Sequence, residues 1–172
     1  MTNRGLLLTL TEPPAAMEEE FNAWYDDEHL PERLSIPGFR SARRWIAECR
    51  PGGGKYLATY ELDAPEVLRS AEYLARFDHP TPWSRRCLGR ALVFRRWACE
   101  QVGALDPHPR CAALIVLAGA EAPRCELPGV LQLRRFVAFS GEPRHVALVE
   151  LESPRRVELP AAEFAGFYRT MR

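Results

Sequence analysis

The chain has 172 residues, 47% apolar and 27% charged, an ordinary globular composition with room for one domain or for two small ones sharing a core. Its 23 basic and 23 acidic residues cancel, leaving no net field to recruit nucleic acid or an anionic membrane surface. No apolar run approaches the roughly 20 residues needed to span a bilayer, and the apolar stretch in MTNRGLLLTLTEPP is too short for a signal peptide, so a cytoplasmic location is expected.

In chain order, the apolar run GLLLTLTE predicts a buried strand over about 4–11, followed by a helix over about 15–30. Strands are expected at 38–48 and 55–62, joined by the turn-rich RPGGGK, whose glycines precede no helix and so do not form a phosphate loop. Asp63, Pro65 and Glu66 resemble a capping box that starts a helix over 65–77. Its apolar positions Val67, Leu68, Ala71, Leu74 and Phe77 should face a sheet. A strand at 90–101 completes a β-α-β-β-α-β order, the split ferredoxin-like unit. GALDPHPR at 103–110 then reads as a linker.

The remainder repeats the first part. IPGFRSARRWI (36–46) matches LPGVLQLRRFV (127–137), keeping Pro-Gly and Arg-Arg, and KYLATYELDAPEVL from Lys55 matches RHVALVELESPRRV from Arg144, keeping Ala, Glu-Leu and Pro. CAALIVLAG at Cys111 stands where GLLLTLTE stands in the first copy. Only the short AEAPRCE separates it from the Pro-Gly turn, so the first helix is missing. Ser153-Pro154 should start the second helix, with Phe164, Phe167 and Tyr168 on its apolar face and no obvious fourth strand beyond. The expected division is a complete module at 1–103, a linker at 104–110 and an abridged module at 111–172. The five Arg-Arg pairs read as solvated strand faces and ion pairs. The five cysteines are irregularly spaced without a CxxC, which indicates neither a disulfide framework nor a zinc site.

The chemistry concentrates in WYDDEHLP (24–31). At about 100° per residue Met17, Phe21, Trp24 and Tyr25 share one face, and Glu28 falls in the middle of that stripe. Asp26 and Asp27 point outward, while His29 lies at the stripe's edge. The helix should end near Leu30, because Pro31 disfavours helical geometry in the residue before it. A buried carboxylate needs a partner or a raised pKa. A histidine pulled one way by acids and a helix C-terminus, and the other way by burial, can titrate near neutrality as a general acid or base. The plainer reading pairs Glu28 with Arg40 or Arg43 and leaves His29 on a terminal carbonyl. Tyr56 and Tyr60, on one strand face with Ala58, are expected to fill core more than to line a cavity.

EFNAWYDDEHLPERLSIPGFRSARRW resembles the first helix and second strand of the EthD-like branch of the dimeric α+β barrel superfamily, and HPTPWSRR (79–86) resembles the segment after the second helix there. The resemblance implies an α+β fold of tandem ferredoxin-like modules closing an intrachain barrel, with a pocket between each sheet and its helices. It also implies that Trp24, Tyr25, Glu28 and His29 face that pocket, with His79 and Trp83 near its mouth. The superfamily holds isomerases, cyclases, cofactor-free oxygenases and heme enzymes. The expected function is therefore a cofactor-independent isomerase, cyclase or lyase acting on a hydrophobic or aromatic molecule. His29 and Glu28 would be catalytic, and Trp24, Tyr25, His79 and Trp83 would bind substrate. No metal site is expected, and a homodimer is a further expectation. The competing readings are a non-catalytic binding or assembly module whose pocket is packed shut, and a heme monooxygenase with His29 as its axial ligand.

Overall fold

The computed structural model describes residues 3–50, 53–155 and 157–171, apart from the side chain of Phe94. Eight strands make one closed barrel: β1 (Gly5–Glu12), β2 (Phe39–Cys49), β3 (Tyr56–Leu62), β4 (Leu92–Val102), β5 (Ala113–Gly119), β6 (Val130–Ser140), β7 (His145–Leu151) and β8 (Phe164–Thr170). The order around the barrel is β1-β3-β2-β8-β5-β7-β6-β4, and every neighbouring pair is antiparallel. The first four strands thus lie as β4-β1-β3-β2 and the last four as β8-β5-β7-β6, the same order twice. Closure leaves no unpaired sheet edge.

Strand alternation decides which side chains go inside. Leu6, Leu8 and Leu10 of β1 enter the barrel with Trp45, Leu57, Trp97, Val116, Phe136 and Tyr168. Leu7 of β1 and Tyr56, Ala58 and Tyr60 of β3 face the other way, toward the helices. Those helices are α1 (Glu18–Trp24), a π turn (Tyr25–His29), α2 (Leu30–Leu34), α3 (Ala71–Asp78) and α4 (Pro82–Leu88), with 3-10 turns at Ala15–Met17 and Pro65–Arg69. No helix among the described residues is long and apolar enough to cross a membrane.

Several expectations change. The helix that was to stop near Leu30 runs on through Pro31 to Leu34. The π turn permits this: Leu30 N–H donates to the Tyr25 carbonyl five residues back, and the wider turn relieves the clash that a proline ring makes with the carbonyl four residues back. The helix predicted over 65–77 is broken at Ser70, which is extended and caps α3 by accepting from Tyr73 N–H. Asp63 caps nothing; it pairs with Arg40 at 3.5 Å. The break turns the helix, so Tyr73 is buried while Leu74 and Phe77 stand out in solvent. Within HPTPWSRR, helix α4 starts at Pro82, with Thr81 accepting from Ser84 N–H at its N-cap.

In the second half, Phe164, Phe167 and Tyr168 belong to strand β8, not to a helix face, and no helix occurs among its described residues. The fourth strand is present and both helices are absent. The outer face of β5, β7 and β8 is covered instead by Cys125, Leu127, Val157 and Leu159 from irregular segments. The predicted turn at 50–55 lies partly on Pro51 and Gly52, outside the described residues.

The Arg-Arg pairs are not all solvated faces. Arg134 is 2% exposed and lies inside the barrel. It donates to both oxygens of Glu61, at 2.8 and 2.6 Å, to Glu150 at 3.3 Å and to the Gln101 side chain at 3.0 Å. Burial opposes the charge on Arg134, but the two carboxylates outweigh it and its pKa is raised. Arg43, Glu61, Arg134 and Glu150 all line one void of about 20 Å³, room for no more than one water. The barrel interior therefore holds no ligand cavity there.

Candidate active site

The π turn reorganises the helix stripe. One extra residue in that turn carries Glu28 out of the stripe and brings His29 in, with its ring 4.5 Å from Trp24 and 4.9 Å from Tyr25 between centroids. Glu28 instead accepts hydrogen bonds from Thr81 and, at 3.1 Å, from Ser84 Oγ. Ser84 Oγ in turn accepts from Trp24 Nε1 at 3.1 Å. Glu28 thus ties the π turn to α4 and does not reach Arg40 or Arg43. Arg40 binds Asp106, and Arg43 donates to the Cys111 carbonyl at 2.8 Å.

His29 lines a cavity of about 350 Å³ between the sheet and the helices. Tyr25 and Tyr60 line it as well; the Tyr60 hydroxyl donates to that of Tyr25 at 3.4 Å, and Thr9 Oγ1 lies 3.4 Å from the same oxygen. Tyr60 is therefore a cavity residue as well as core. Burial holds its hydroxyl well above the ordinary pKa, so it stays protonated. Phe77, Leu88 and Val93 form an apolar mouth; all three are exposed, Phe77 by 58%.

His29 does not sit between acids. Burial first, then the guanidiniums of Arg33 and Arg44, push its pKa down to about 3. The imidazole is neutral at physiological pH, and its Nδ1 is buried without a hydrogen-bond partner. Of the other predicted residues, Tyr25 lines the cavity. Trp24 is fully buried behind His29, and Trp83 packs on the helix-side core. His79 is exposed at the end of α3, outside the lining. Arg33, Tyr73 and Arg96 complete the wall and were missed. The signal for Arg33 was its position four residues after His29, one helical turn away. Among the described residues no cluster of three or more His, Cys, Asp or Glu could hold a metal.

No family model matches the sequence, and no curated protein sequence matches it significantly. Among solved structures, the chain superposes on a chlorite dismutase-like protein with a TM-score of 0.62 at 10% identity, covering 99% of this chain and 96% of the other. An anthrone oxidase-like protein gives 0.58 at 11% identity, covering 100% and 92%. The likeness to both is one of fold, an antiparallel α+β barrel. In this α+β barrel both halves of the closed sheet come from one chain. An EthD family protein from Bacillus halodurans overlaps 54% of this chain and 94% of its own at 16% identity, with a TM-score of 0.39.

Proposed function

We propose that the protein is a cytoplasmic, cofactor-independent enzyme of isomerase, cyclase or lyase type that moves a proton on a hydrophobic or aromatic molecule. The supporting observation is a neutral imidazole on the wall of a cavity that two tyrosine hydroxyls also line. Its volume of about 350 Å³ suits a small molecule and speaks against the reading in which the pocket is packed shut. We further read the two halves as tandem ferredoxin-like modules, the second having lost its helices.

In this reading His29 takes a proton from an activated C–H bond, and Tyr60 or Tyr25 gives a hydrogen bond to the oxygen where negative charge develops. Glu28 is a positioning residue, holding α4 against the π turn, and not a proton carrier. Heme fits the residues poorly. The cavity of about 350 Å³ lies near the lower end of the range for small-molecule sites, roughly 300–1,000 Å³, which leaves little room for a macrocycle of that size.

The test is proton exchange in D2O on a bicyclic aromatic ketone such as 2-tetralone, followed by NMR. The protein should accelerate exchange at the carbon beside the carbonyl, and His29→Ala should lower that acceleration by about 100-fold or more. Exchange that persists in a folded His29→Ala variant, or that never exceeds the buffer rate with the wild type, defeats the reading.

A further inference from the structure

The cavity wall carries a charge with nothing to balance it. Arg33 is 8% exposed, its Nη1 is buried with no hydrogen-bond partner, and no carboxylate among the described residues lies within ion-pair distance of it. Its guanidinium sits 5.3 Å from the centroid of the Tyr73 ring, which gives cation–π attraction but accepts no hydrogen bond from Nη1. Arginines buried to this degree are ordinarily paired, because an isolated charge is poorly solvated out of water. The other charged residues on the wall do not supply the anion. Glu32 is turned toward Arg76, at 3.9 Å, and Arg96 donates to the Tyr73 hydroxyl at 3.0 Å. Three arginines and one glutamate line a cavity whose mouth is apolar.

We infer that the molecule bound here is an acid: an apolar or aromatic body that fills the cavity behind Phe77, Leu88 and Val93, carrying a carboxylate or comparable anion that pairs with Arg33. This rests on the reading of the cavity as the substrate site and narrows its substrate class. A planar guanidinium offers paired N–H donors matched to a carboxylate. Arg33 stands one helical turn after His29, so the anion would be held beside the imidazole. Neutralising Arg33 also removes part of the field that keeps His29 a poor base, so seating the acid would make the imidazole more ready to accept a proton.

Isothermal titration with 2-naphthoate and its neutral isostere 2-naphthamide tests this. Wild-type protein should bind the naphthoate at least tenfold more tightly. Arg33→Gln should abolish the preference while leaving the naphthamide affinity within twofold, and Arg33→Lys should keep part of it. Thermal melts of both variants establish that they are folded. Should Arg33→Gln fail to fold, loss of part of the preference in Arg33→Lys decides in favour, and an undiminished preference there decides against. Equal binding of the two compounds by the wild type, or a preference that survives Arg33→Gln, overturns the acid assignment and leaves the cavity reading standing. Binding of neither compound overturns both.

Discussion

The two halves share a strand order but not a surface. In the first half the outer face of the sheet carries α1 to α4, and Arg44 of β2 reaches out to hold α1 and the π turn. It donates to Asp26 at 3.0 Å and to Asn22 at 2.5 Å, with its guanidinium 4.4 Å from the Tyr25 ring centroid. The equivalent position in the repeat is Arg135, which is exposed. The Pro-Gly turns differ in the same way. Gly38 has φ +93° and a Cβ there would lie 2.4 Å from Val67, whereas Gly129 has φ +80° with nothing within 4 Å. Only the backbone conformation is needed in the second copy; the close approach has gone with the helical layer. Inside the barrel the copies stay alike. Arg43 and Arg134 are repeat equivalents, as are Glu61 and Glu150, and all four meet around one void. What both halves retain is the shared interior, and what one half dropped is the layer that builds a cavity.

The sharpest way to break this likeness is in the interior. Arg134→Met leaves Glu61 and Glu150 buried without their shared cation and should cost about 3–5 kcal/mol in urea unfolding. A loss below about 1 kcal/mol would mean that the cluster does not join the halves. Next in size is the outer face: Arg44→Ala removes charged hydrogen bonds to two helix residues and should cost about 2 kcal/mol. Its counterpart Arg135→Ala should stay within about 0.5 kcal/mol. Equal losses at the two positions would contradict the asymmetry.

The smallest effect is in the pH dependence. Folded His29 binds its proton only below about pH 3, while an unfolded histidine does so near 6.5. The unfolded state therefore holds more protons between those values, and stability should fall as pH drops from about 6.5, by on the order of 1 kcal/mol per unit. His29→Gln should flatten that slope between pH 6.5 and 5; an unchanged slope would assign it to other groups.

Much of the barrel was legible in the sequence because strand alternation and the repeated Pro-Gly and Arg-Arg pairs are local signals. Helix phase was not. Glu28 falls on the buried stripe if every turn has the same count, and the π turn that moves it leaves no mark in composition. The break at Ser70 likewise exposed Leu74 and Phe77 against expectation. β8 was misread because Phe164, Phe167 and Tyr168 also fit helical spacing. A strand forms there because β2 and β5 each present an edge that only β8 pairs. His29 was found; of the two arginines beside it, Arg33 stands one turn on in the same helix, whereas Arg44 comes from strand β2, which the local sequence around the histidine does not reveal.

The π turn also has a meaning in terms of chain length. It amounts to an insertion of one residue among the exposed Asp26 and Asp27, with Pro31 as its counterpart. Deleting Asp27 alone would place His29 four residues from Trp24, the ordinary helical distance, and keep it facing the cavity, but it would drive the Pro31 ring against the carbonyl one turn back. A chain lacking both the extra aspartate and the proline could present the same imidazole from an unbroken α-helix. Insertion and proline should therefore vary together: a gap at one in a related chain is expected to accompany loss of the other.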